Sequence, residues 1–152
     1  MGKKIFAVAL LLSMTICASA FAAISRNPAD DPNLVCFYRH QGLDSYLYQN
    51  SLRVKEDDEL KVISFNFIVY DSIQPRNTHW DRVENMQFGY DESARKVYLF
   101  DQMGNAMFLD PNGTIAEGSG YAWGAEVVYY LATGNKFYGT FDESFYDSLP
   151  LG

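Results

Sequence analysis

Cysteine, histidine and clustered positive charge are all scarce in this 152-residue chain, and each shortage closes off a class of function. Of the two cysteines, Cys17 lies in the apolar N-terminal stretch and only Cys36 lies beyond it. No disulfide can then form within the remainder, which has to be held by a hydrophobic core. Cys36 sits in Leu34-Val35-Cys36-Phe37-Tyr38, a strand-like run, and free cysteine is among the most buried residue types. A buried, inert thiol is therefore expected.

Only His40 and His79 are available as imidazoles near neutral pH. On a regular strand Cys36 and His40 would share a face, but at about 3.3 Å per residue they stand about 13 Å apart, beyond the reach of a nucleophile and its base. His79-Trp80-Asp81 offers two ligand types with no second histidine nearby, which reads as a solvated loop rather than a metal site. Asp110-Pro111-Asn112-Gly113-Thr114 opens like a calcium loop, yet Ala116 holds the seventh position and Tyr121 stands where the closing glutamate belongs. The Asn112-Gly113-Thr114 sequon matters only in a glycosylating pathway. No cofactor is implied.

Long hydrophobic runs are missing too. The uncharged stretch from Ile5 to Ile16 is too short for a membrane span, which needs about 20 residues. Behind Lys3 and Lys4, and ahead of the A-x-A sites Ala18-Ser19-Ala20 and Ala20-Phe21-Ala22, it has the layout of a secretory signal peptide. The expectation is a signal peptide over 1–22 cleaved after Ala22, a polar linker over 23–33, and a secreted, periplasmic or cell-surface product with no membrane span. Lipidation at Cys17 is disfavoured because Met14-Thr15-Ile16 lacks the small residue such processing needs. Cleavage removes two of 12 basic residues and none of 19 acids, which leaves 10 against 19 and a net charge of −9. With cations scattered singly among carboxylates, the charge argues against nucleic acid and anionic lipid as partners.

What the chain has in quantity is aromatic residues, 11 Phe, 11 Tyr and 2 Trp, which favour half-buried pleated surfaces. Strand signals bounded by turn residues run through most of it. Leu34 to His40, Tyr46 to Gln49 and Leu52 to Val54 are short candidates. Leu60 to Tyr70 is the longest, with Ile63, Phe65, Phe67 and Val69 on one apolar face. The acidic cluster Glu56-Asp57-Asp58-Glu59 reads as a solvated turn, and Asp71 to Trp80 as a polar loop. Glu84 to Tyr90, Arg95 to Asp101 and Ala106 to Leu109 follow, separated by turns too short for parallel crossovers. Gly124 to Thr133 changes to helical spacing, with Glu126 in its first turn and Gly134-Asn135 as the stop. The fold class expected is α+β: a single antiparallel β-sheet of about six strands, meander-like, with one C-terminal helix packed on it over 34–138, then an acidic aromatic tail over 139–152.

The stretch Asp44-Ser45-Tyr46-Leu47-Tyr48-Gln49-Asn50-Ser51-Leu52-Arg53-Val54, with the strand ending Ile68-Val69-Tyr70-Asp71, resembles the opening hairpin of small exported bacterial proteins similar to surface-adhesin protein E. Arg95 to Leu99, the Asp101-to-Asn105 turn and Gly124 to Thr133 fall in the order of that family's late hairpin and closing helix. The chain departs from it at Gln49, at Gly120-Tyr121-Ala122-Trp123 and in lacking paired cysteines. The resemblance implies a sheet with a helix, displayed on or near the bacterial surface. No binding residue transfers from it.

The expected function is a non-catalytic envelope or surface module of adhesion type that binds a protein or envelope component. The candidate contact residues are Trp80, Tyr121, Trp123 and Tyr138, since exposed Trp and Tyr make good anchors. The alternative is a small secreted hydrolase using a carboxylate pair, which needs two acids about 5 to 9.5 Å apart in a cleft.

Overall fold

The structure is a computed structural model that describes residues 27–57, 59–114 and 118–151. The expected signal peptide lies outside the described residues. Seven strands form one antiparallel sheet: β1 (Leu34–His40), β2 (Leu43–Tyr48), β3 (Arg53–Glu56), β4 (Lys61–Asp71), β5 (Glu84–Asp91), β6 (Lys96–Phe100) and β7 (Ala106–Leu109). The order is β1-β2-β4-β5-β6-β7, with β3 paired to β4 beside β2. Helix α1 (Ser119–Thr133) lies on one face and a short helix α2 (Glu143–Asp147) follows it. An antiparallel α+β sheet with a late helix is thus what the chain forms; its seven strands match the seven strand-like runs of the sequence, and β2 and β3 flank the two halves of β4.

β4 sets the core. Ile63 and Phe65 are fully buried and Phe67 nearly so, and together with Phe88, Tyr90, Val97 and Leu109 of the neighbouring strands they face α1. The other side of β4 is polar at Ser64 and Asn66 but not at Ile68, which has 0% exposure beneath a second cluster of Leu34, Tyr46, Tyr70 and Trp80. Residues 27–33, the end of the stretch read as linker, are folded against β1: Pro28 is buried in a 3-10 turn, and the Asn33 side chain accepts from the Asn50 N–H at 2.9 Å.

Two local irregularities shape the end of the molecule near β1. The β1–β2 register slips between Cys36 and Tyr38, so Tyr38 rather than Phe37 pairs with Ser45. A bulge of this kind breaks the period-2 alternation. Cys36 faces the second cluster, whereas Phe37 and Tyr38 both pack with the main core. The regular-strand geometry assumed for Cys36 and His40 therefore does not hold; the bulge turns them to opposite faces. Helix α1 also begins five residues before Gly124. Gly120 and Gly124 sit one turn apart on the helix, and a Cβ at Gly124 would stand 2.9 Å from the Phe37 carbonyl oxygen. Glycine here lets the helix backbone press against the edge strand, at the cost of helix propensity.

Candidate functional site

An open, mainly apolar groove of about 430 Å³ lies between β1, α1 and the tail. Tyr38, Arg39 and His40 line one side, Gly120, Trp123 and Val127 the second, and Phe141 and Phe145 the third. The bulge delivers Tyr38 to this side, where it stacks on Tyr121 with centroids 4.6 Å apart and 16° between planes. Trp123 remains 49% exposed at the rim, and the Phe141 and Phe145 rings, tilted by 34° with centroids 4.2 Å apart, form the outer wall. β1 is the outermost strand, paired only with β2.

Of the sequence candidates, Trp123 lines the groove, and Tyr121 packs on the main core and reaches it only through its stack on Tyr38. Trp80 does not: it closes the second cluster on the opposite face of the sheet, with its ring 6.1 Å from that of Tyr70. Tyr138 is half-buried against the main core, with its ring edge-on to Phe137 at 4.8 Å, and burial pushes its hydroxyl up. Cys36 is half-buried rather than fully so; its Sγ lies 3.2 Å from the Arg39 Nε, and burial pushes the thiol up, away from nucleophilic use.

The groove's outer wall is held by a residue whose place in the sequence gave no sign of this. Glu126 lies mid-helix rather than in a first turn, and it is fully buried. Its carboxyl oxygens accept from the backbone N–H groups of Phe137 (3.2 Å), Tyr138 (2.6 Å) and Gly139 (3.2 Å) and from the Tyr146 hydroxyl (2.6 Å). The chain can wrap around one carboxyl group because Gly139 takes a left-handed φ of 72°. Asp142 then caps α2 by accepting from the Phe145 N–H at 2.9 Å, Lys136 pairs with Glu143, and Leu149 packs on the main core. The acidic aromatic tail is a docked element.

Acids cluster at the far end of the sheet, where Glu56, Asp57, Glu59, Asp91 and Glu92 line an open hollow together with Lys61. Lys61 donates to Glu92 at 2.5 Å, as does the Tyr129 hydroxyl at 2.6 Å, and both bonds hold the Glu92 carboxyl below its usual range. Asp91 is likewise lowered, by the Ala94 N–H and the Ser93 hydroxyl. Glycoside hydrolysis needs one carboxylic acid shifted upward to donate a proton, and both shifts run the other way. A folded-state value below the unfolded one means that the Glu92 contribution is fully present above about pH 4.3 and is lost as pH falls through the folded value. Glu92→Gln should therefore lower the melting temperature slightly at neutral pH, and the difference from the native chain should vanish in acid. A difference that persists unchanged in acid would refute the assignment.

Among the described residues there is no group of three or more His, Cys, Asp or Glu placed to hold a metal ion, and no helix long and apolar enough to cross a membrane. No family model, no curated protein and no solved structure matches the chain.

Proposed function

We propose that the protein is an exported, non-catalytic binding module of the envelope or cell surface, and that the groove beside β1 receives an apolar side chain from an extended segment of a partner protein. The observation that carries this reading is Trp123, a large aromatic left half exposed over a groove whose other walls are also aromatic. Aromatic anchors over partly enclosed pockets dominate the energetics of protein contacts. A polypeptide fits better than a lipid chain because the groove runs beside an outermost strand, whose unpaired edge can accept a further strand. The leader-like N-terminus and the resemblance to exported surface proteins are what support the location in this reading.

The test is binding of the mature protein to immobilised envelope fractions and extracellular-matrix proteins. Trp123→Ala is expected to weaken binding by about tenfold or more, while Met103→Ala, at an 85% exposed position away from the groove, leaves it unchanged. Absence of any binding, combined with turnover of a generic hydrolase substrate, would sink the proposal in favour of the carboxylate-pair enzyme.

A further inference from the structure

The face of the sheet opposite α1 carries two adjoining open hollows of about 660 and 700 Å³ that share Gln87, Phe100 and Gly104. The register explains how they arise. Ser64, Gln87 and Phe100 stand side by side across β4, β5 and β6, and Gly89 is the neighbour of Gln87 on the same face. Because Gly89 has no side chain, the Phe100 ring lies down over it: a Cβ there would meet Phe100 Cε2 at 2.6 Å. The 101–105 turn forms one wall, fixed by the Asp101 carboxyl group, which accepts from the N–H groups of Met103 and Asn105 at 2.8 Å each. Phe100 thus occupies the middle of a trough rather than a convex surface.

We propose that this trough is a binding site for a neutral saccharide chain. A sugar ring presents apolar C–H faces that lie against an aromatic ring, and hydroxyl groups that both donate and accept. The trough offers the same mixture. Phe100 is the apolar platform and Gln87 supplies an amide with donor and acceptor ends, while the Asn85 amide donates to the Phe65 carbonyl and to Asn66 Oδ1 and offers its oxygen as an acceptor. The rim carries Lys55 and Arg82 as donors and Asp57, Glu59, Glu84 and Asp101 as acceptors. Charge complementarity narrows the class further. With four acids against two cations the rim repels a polyanion, while Lys55 and Arg82 oppose a polycation along part of its length, and an uncharged polyhydroxyl ligand meets no repulsion. The site lies across the sheet from the groove and involves none of its residues.

The experiment titrates maltotetraose, cellotetraose and chitotetraose separately into the isotopically labelled full chain and follows the side-chain amide signals of Asn85 and Gln87. At least one of the three is expected to give saturable shifts there, with the apparent Kd raised about tenfold by Phe100→Ala and by Gln87→Ala and unaltered by Trp123→Ala. If Phe100→Ala fails to fold, the exposed Gln87→Ala variant alone decides. Failure of all three sugars to saturate any signal up to their solubility overturns the proposal, as does saturation confined to groove residues, or tighter binding of a tetragalacturonate. A Trp123→Ala effect on partner proteins without a sugar site would leave the groove reading standing and this one refuted.

Discussion

Replacing Glu126 by alanine is expected to cost about 3 kcal/mol and to free the tail. The substitution strands three backbone N–H groups and the Tyr146 hydroxyl around a fully buried position. Each buried donor left without a partner costs about 1–3 kcal/mol. The total stays below the simple sum because residues 136–151 can swing out and recover water as their partner. For a domain of this size the melting temperature should fall on the order of 10 °C, and limited proteolysis should clip the chain after Thr133 while the sheet persists. Glu126→Gln keeps one acceptor but turns an NH₂ group toward a donor, so it should fall between alanine and the native chain. A variant that melts with the native protein and resists clipping would show that Glu126 does not hold the tail.

Gly124→Ala is the second large effect, and its sign depends on two opposing terms. Alanine is a better helix former than glycine by about 0.8–1.0 kcal/mol, so at an open helical position the change would stabilise. Here the new Cβ meets the Phe37 carbonyl oxygen at 2.9 Å and the Phe37 ring at 3.1 Å. A backbone atom of a paired strand cannot turn aside, so α1 must lift from β1, and overpacking of this kind costs about 1–3 kcal/mol. Net destabilisation of about 1 kcal/mol in urea unfolding is the expected outcome. Gly120→Ala is the control: its Cβ would meet Tyr38 Cε2 at 2.6 Å, the far end of a side chain that can rotate, so the loss should be smaller. Equal losses at the two positions would contradict the role given to the Phe37 backbone.

Much of the sheet was legible because its rule is short in range. Ile63, Phe65 and Phe67 lie in the core as their alternation requires, whereas Val69, the fourth residue of that face, is exposed and Ile68 on the other face is buried. Gly134 ends α1 with a left-handed φ of 72°, as its position after the last helical residue indicated. The start of α1 was not legible, since Ser119 to Trp123 contains a glycine and leads from Gly118 to Gly124, residues that weaken any helical signal. For Gly120 and Gly124 the reason is the proximity of β1, a fact about two segments more than 80 residues apart, while Gly118 takes a left-handed φ beside Leu109 of β7. The bulge at Phe37 was hidden for a similar cause: a slip in register leaves the residues of the strand looking regular and changes only which of them share a face. Glu126 resembled an acid placed for the helix dipole until the tail's N–H groups were seen to converge on it. Of the groove, the sequence exposed the aromatic inventory but not the partition that sends Trp123 to the rim and Trp80 beneath the other face.

The Glu126 latch also governs when the fold can close. A ribosome delivers residues 137–146 after α1, and until they arrive the middle of α1 carries an acid with no donors around it, in a position that the finished core seals from water. A nascent chain ending near Thr133 therefore has a reason to stay open even though all seven strands are already made. On the export proposed above, that ordering keeps the chain open until the segment following α1 has docked on Glu126.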